Sequence, residues 1–170
     1  STANITVSDD VSKAEADTIN AYNDVSGTVT LTSITDNFTN VVAAQGTAGI
    51  AMTAATIETD NTEAVTKDNV DTLNGFTTGV VTVKSVRDTR ANVEAIDAIA
   101  DGEVLMNTAI VSVTDAVNAD HAGNLAGLTT GQVTLESVED KRKNILKIDE
   151  METSEVTMAA AAVKVTDKVN

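Results

Sequence analysis

The sequence predicts an α/β fold built as a repeat solenoid of alternating short strands and helices. A ten-residue stretch recurs from Gly27, Gly79 and Gly131, which gives a period of 52 residues (79 − 27 and 131 − 79). Runs rich in Val, Thr and Ile alternate with segments whose apolar residues are spaced by three, the respective patterns of strands and helices. A fixed period of this size is typical of an array in which each unit buries its apolar face against the next.

An aspartate closes each apolar run and divides the unit into two half-units of about 26 residues. First arms follow Asp9, Asp60 and Asp115, second arms follow Asp36, Asp88 and Asp140, and Asp167 ends the series. The chain is therefore predicted to be a single repeat array over 1–170. Its units are expected at 5–56, 57–110 and 111–162, with 163–170 beginning a further unit.

The first arms are predicted to be short helices. Each starts at a residue whose side-chain oxygen suits an N-cap, namely Ser12, Thr66 or Asn118, and Ser12 with Glu15 fits a capping box. The apolar stripes that follow are Ala16, Ile19 and Tyr22; Val70, Leu73 and Phe76; and Ala122, Leu125 and Leu128. Gly27, Gly79 and Gly131 end these arms, where a positive φ is expected.

The second arms are predicted to be helices capped by the aspartate itself. Their stripes are Val93, Ile96 and Ile99, then Ile145, Ile148 and Met151. In the first copy, Val41 and Val42 are followed by Gln45-Gly46-Thr47, which weakens the pattern. That helix is expected to fray or to cap the array.

The strand-like runs carry a recurrent irregularity. The offset is three residues from Leu31 to Ile34 and five from Met52 to Ile57, and the other copies repeat both offsets. An odd offset places the later residue on the opposite face of a flat strand. Two short strands joined by a corner, and then a helix, are therefore predicted for each half-unit. A string of small α/β beads and a parallel β-helix are the alternative architectures.

Composition excludes several function classes. The net charge of −15 and the pI of about 4.1 disfavour nucleic acids and anionic membranes as partners. There is no cysteine, which excludes disulfides and thiolate metal sites, and no apolar run is long enough to insert into a membrane. The chain opens without Met or a signal peptide, so a processed chain or a piece of a longer one is expected.

The recurrent aspartates are interpreted first as helix caps and turn formers. The alternative interpretation is a ladder of calcium ligands. The calcium candidates are Asp9, Asp10, Asp17, Asp115 and Asp120. No EF-hand pattern is present, so no cofactor is predicted and calcium stays the alternative.

Asn40, Asn92 and Asn144 each follow an aspartate by four residues. They are predicted to form a structural ladder whose amides satisfy backbone groups of neighbouring half-units. His121 is the single histidine, and no nucleophile or phosphate-binding motif occurs, so the chain is predicted not to be an enzyme.

The segments SVRDTRANVEAIDAI (85–99) and ITVSDDVSKAEADTIN (5–20) resemble tandem repeats of very long bacterial extracellular or cell-surface proteins, many from cyanobacteria and proteobacteria. The resemblance covers nearly the whole chain in repeat form. It implies a secreted or surface-attached, non-catalytic region. The calcium nonapeptide of some such proteins is absent, so the resemblance implies no calcium ligands.

These observations predict a structural, self-associating repeat module of a secreted or cell-surface bacterial protein, in a filament, a surface layer or an adhesin stalk. Copies are expected to meet head to tail, and the basic cluster Lys141-Arg142-Lys143 with Lys147 is either a solvated helix face or a contact with the acidic surface of another copy. The alternative function is an adhesin module that recognises a glycan or a surface protein, with calcium as an optional requirement.

Overall fold

The computed structural model describes residues 3–23, 27–99, 102–151, 155–158 and 160–167, in two units with one sheet each. The first unit comprises Ser1–Glu63, Asp68–Val83 and Ala100–Leu105, and the second comprises Ala64–Lys67, Lys84–Ile99 and Met106–Asn170. All strand pairings among the described residues are parallel. Parallel strands alternating with helices confirm the predicted α/β class.

The elements follow the chain in the predicted alternation. They are β1 (Ile5–Val11), α1 (Lys13–Tyr22), β2 (Val29–Asp36), α2 (Phe38–Gln45), β3 (Ile50–Ala51), β4 (Thr56–Thr59), α3 (Lys67–Asn74), β5 (Val81–Thr82), β6 (Ser85–Asp88), α4 (Arg90–Asp97), β7 (Val104–Leu105), β8 (Ile110–Val117), α5 (Ala119–Leu128), β9 (Val133–Asp140), α6 (Arg142–Asp149), β10 (Val156–Thr157) and β11 (Ala162–Val165). The first sheet has the order β1-β2-β4-β5-β7, with β3 also on β2, and the second has the order β10-β9-β8-β6, with β11 also on β9.

The predicted corners join β3 to β4, β7 to β8, and β10 to β11. Each corner is a turn in which an alanine N–H donates to the carbonyl of the methionine three residues earlier, at 2.8–3.0 Å (Ala55 to Met52, Ala109 to Met106, Ala161 to Met158). The corner predicted for every half-unit is absent from β2 and β9, which run through without a break, so the prediction is wrong there. The irregularity lies instead in the neighbouring strand, as a bulge between Val7 and Asp10 of β1 and between Val113 and Ala116 of β8.

Small aliphatic side chains fill the core between strands and helices. In β2, Val29, Leu31 and Ile34 are all buried, although Ile34 follows Leu31 by three residues. The predicted helix stripes are buried in large part, with one correction: Tyr22 is 85% exposed, and Asn20 takes the inward position on α1 instead. The spacing of the apolar residues does not predict a buried polar residue at this position of α1.

Further local expectations differ from the structure. The second-arm helix of the first copy, expected to fray or to cap the array, is formed over eight residues, like α4 and α6, and buries Val41 and Ala44. The glycines with positive φ are Gly49 and Gly102, not Gly27, Gly79 and Gly131.

The three recurrent glycines are required for space instead. A Cβ on Gly27, Gly79 or Gly131 would lie 2.0–2.3 Å from the carbonyl oxygen of Ala3, Ala55 or Ala109, respectively. At each of these positions two backbone segments therefore approach each other more closely than any side chain larger than that of glycine would allow.

Candidate functional site

The most regular polar feature is a carboxylate that binds three donors from two half-units. Asp36 Oδ1 accepts the Asn37 N–H at 2.9 Å and the Asn40 side-chain amide at 2.8 Å, while its Oδ2 accepts the Lys13 N–H at 3.0 Å. Lys13 is the first residue of α1, the helix of the preceding half-unit. The arrangement, here called the aspartate node, thus attaches each strand end to the helix before it.

The aspartate node occurs three times with the same atoms. Asp88 binds the N–H groups of Thr89 and Lys67 and the Asn92 amide at 2.7–2.8 Å, and Asp140 binds those of Lys141, Ala119 and Asn144 at 2.7–3.0 Å. Each node caps a first-arm helix, so its charge also lies at the positive end of a helix dipole. The node is built by the 52-residue repeat.

The predicted asparagine ladder has a different partner from the one expected. Asn40, Asn92 and Asn144 donate to a carboxylate four residues earlier in the chain, whereas the predicted partners were backbone groups of neighbouring half-units. The geometry is that of an i, i+4 pair across the start of a helix.

The predicted caps need one correction. Ser12 forms the capping box with Glu15, and Asn118 accepts the His121 N–H at 2.9 Å, as expected. None of Asp36, Asp88 and Asp140 is the N-cap of the helix that follows it, because that position is taken by Asn37, Thr89 and Lys141, respectively. Each aspartate lies one residue earlier and caps the preceding helix instead.

The nodes hold their carboxylates in the ionised form. Partial burial pushes the pKa of Asp36 and Asp88 upward, but the hydrogen bonds to their partners outweigh burial and hold each pKa below its ordinary value. For Asp140 the backbone N–H of Ala119 is the main cause of a lowered pKa. A carboxylate whose oxygens are occupied by donors and whose pKa is lowered is a poor proton acceptor, so the nodes suit attachment rather than catalysis.

The first-arm aspartates form a simpler version of the same link. Asp115 accepts the Arg90 N–H at 2.6 Å and Asp167 accepts the Arg142 N–H at 2.9 Å, and both donors are the first residues of second-arm helices. Asp60 departs from the pattern and accepts from Thr62 in its own turn.

Glu63 takes the place of Asp60 as the acceptor at the start of a second-arm helix, and it was not predicted from the sequence. Its carboxylate accepts the Thr39 N–H and hydroxyl, both at 3.1 Å, at the start of α2. Glu63 lies 52 residues before Asp115 (115 − 52), so strict counting of the period identifies it where residue type alone selects Asp60.

The calcium candidates do not converge. Asp10 accepts the Ser33 hydroxyl at 2.7 Å, Asp17 pairs with Lys13, and Asp115 caps α4, while Asp9 lies in β1 and Asp120 in the first turn of α5. In the part of the chain that the structure describes, no group of three or more acidic or histidine side chains could hold a metal ion.

Comparisons with protein-family models, with curated proteins and with solved structures found no match. The resemblance to bacterial surface repeats therefore stays a prediction. Within the described ranges, no helix is both long and apolar enough to cross a membrane.

Proposed function

We propose that this chain is a structural, non-catalytic repeat module of a secreted or cell-surface bacterial protein, and that it self-associates head to tail in a filament, a surface layer or an adhesin stalk. The observation that carries the proposal is the aspartate node. In each of its three copies, a carboxylate that accepts three hydrogen bonds links one half-unit to the next. None of the node aspartates lines the open groove beside β11 or the open groove along β1.

We further propose that the half-units of both sheets belong to one α/β solenoid. The support is that the same links, corners and glycine contacts recur with the sequence period in each unit. Such an array is defined by contacts between neighbours. β1 ends the strand order of its sheet and Val163 and Val165 of β11 are exposed, and exposed strand edges favour association with further copies.

Sedimentation velocity of the purified protein over a hundredfold range of concentration tests the proposal. Self-association predicts a sedimentation coefficient that rises with concentration, in calcium and in a chelator alike. A single monomer boundary under all conditions would rule out the proposed function.

A further inference from the structure

Strands β1, β8 and β11 are copies of one strand class. Val7 pairs with Leu31 as Val113 pairs with Leu135, and β11 follows β8 by one period (163 − 111 = 52). The class ends in an aspartate, in Ile5-Thr6-Val7-Ser8-Asp9 as in Val163-Lys164-Val165-Thr166-Asp167. β1 therefore corresponds residue by residue to β11 and to the residues that follow it, and β11 pairs with β9.

β11 is the least complete member of the class. Val163 and Val165 are 51% and 42% exposed, whereas the matching Val111 and Val113 of β8 are 1% and 0% exposed. β11 has four residues, and β1 has seven. An open groove of about 330 Å³ lies beside β11 and is lined by Ile148, Met151, Val156, Met158 and Val163 among others. Apolar residues at core positions are thus left uncovered at this edge.

The edge formed by β1 has complementary properties. β1 pairs on one side with β2 and ends the strand order of its sheet. Its groove, of about 430 Å³, combines Val7, Val11 and Ile19 with the acidic Asp9, Asp10 and Glu15. The helix beside β11, α6, has the exposed basic residues Arg142, Lys143 and Lys147, and its N-cap Lys141 is also exposed, while the groove itself includes one acidic residue, Asp149. The acidic β1 edge and the predominantly basic surface of α6 have opposite charge, which favours their contact.

We propose that a second copy of this chain docks by its β1–α1 edge onto β9 and α6, and that its β1 takes the place of β11. The proposal rests on the proposed self-association and specifies its interface. In the docked state Asp9 of the second copy replaces Asp167 as the acceptor of the Arg142 N–H. Its α1 then packs beside α6, near Ile148, as α5 packs beside α4.

Replacement explains the uncovered valines better than addition does. If β1 of the second copy merely added to the outer edge of β11, the helix layer would have a gap one helix wide above Val163 and Val165. Replacement closes that gap, and it exchanges a four-residue strand for a seven-residue strand with the bulge that β8 also carries.

A disulfide that locks β11 in place tests the replacement. Glu139 and Lys164 are direct partners in the β9–β11 register, and their exposed side chains form an ion pair at 2.7 Å. The chain has no cysteine, so Glu139→Cys with Lys164→Cys gives a single defined disulfide across exposed positions. We expect the oxidised variant to sediment as a monomer and to assemble at least tenfold less than wild type, with reduction restoring assembly.

Two other results would overturn the proposal in distinguishable ways. If the oxidised variant assembles as wild type does, β11 is not displaced, although the proposed function stands. If wild type and the reduced variant both stay monomeric, the proposed function fails and this inference fails with it.

A second pair of cysteines locates the docked strand. Thr6 matches Lys164 and is exposed, so Thr6→Cys with Glu139→Cys should form disulfide-linked oligomers on a non-reducing gel. The matched control, Thr6→Cys with Lys164→Cys, should give few. Efficient crosslinking of the control alone would show addition beside β11 and contradict replacement.

Discussion

At the scale of single residues, Asp88 shows how one carboxylate joins two half-units. We expect Asp88→Asn to lower the free energy of unfolding by about 1–2 kcal/mol, because an amide cannot accept from all three donors that surround the carboxylate. Urea denaturation measures this loss. Asp97→Asn removes the same charge from the exposed last turn of α4 and should change stability by less than about 0.5 kcal/mol. Equal effects of the two variants on the free energy of unfolding would show that the node does not stabilise the fold.

The pH dependence of this effect has a definite sign. The pKa of Asp36, Asp88 and Asp140 is lowered in the folded state relative to an unfolded value of about 3.9. The stabilisation is therefore complete well above pH 4 and is lost as the pH falls through the lower folded-state pKa. The difference in unfolding free energy between wild type and Asp88→Asn should shrink below pH 4. A difference that stays constant down to pH 2 would show that charge plays no part.

Calcium is expected to have no specific effect on stability. The node oxygens already accept N–H groups, and among the described residues no group of three or more acidic side chains could hold a metal ion. Thermal denaturation in 1 mM EDTA, about 5 mM CaCl₂ and about 5 mM MgCl₂ checks this, since binding to the folded state alone would raise the melting temperature. The two salts should change the melting temperature of this acidic chain equally. A rise in melting temperature with calcium alone would support the interpretation of the aspartates as calcium ligands.

At the scale of elements, the recurrent glycines allow two backbones to approach each other. Gly131→Ala would place a Cβ 2.2 Å from the Ala109 carbonyl oxygen, so we expect a loss of about 3 kcal/mol or failure to fold. Gly127→Ala in α5 meets no atom within 4 Å and should be neutral or stabilising by up to about 1 kcal/mol. Circular dichroism during thermal unfolding compares the two, and similar melting temperatures would refute the steric argument.

Local patterns predicted the elements better than they predicted the contacts between them. The start of α1 was predictable because Ser12 and Glu15 cap it within four residues of sequence. The link from Asp36 to Lys13 was not, because it spans 23 residues and depends on the stacking register. Tyr22 shows a further limit, since a spacing of three does not determine which residue faces inward on a helix that is only ten residues long.

At the scale of the whole molecule, the spacings of strands and helices limit the shape that the proposed polymer can take. Neighbouring strands lie about 4.8 Å apart, whereas packed helices need about 8–10 Å. Where helices pack side by side over the strands of one sheet, the layers must therefore curve, so we expect curved fibres rather than straight ones. Heterologous contacts of this kind stay open unless the rotation closes a ring.

Cryo-electron microscopy of the assembled protein distinguishes the proposed docking from other forms of association. We expect open, curved fibres in which a sheet with a strand spacing of about 4.8 Å continues across every subunit boundary, from β9 of one copy to β1 of the next. Isolated monomers, or closed dimers joined by two identical surfaces with no continuous sheet, would contradict it.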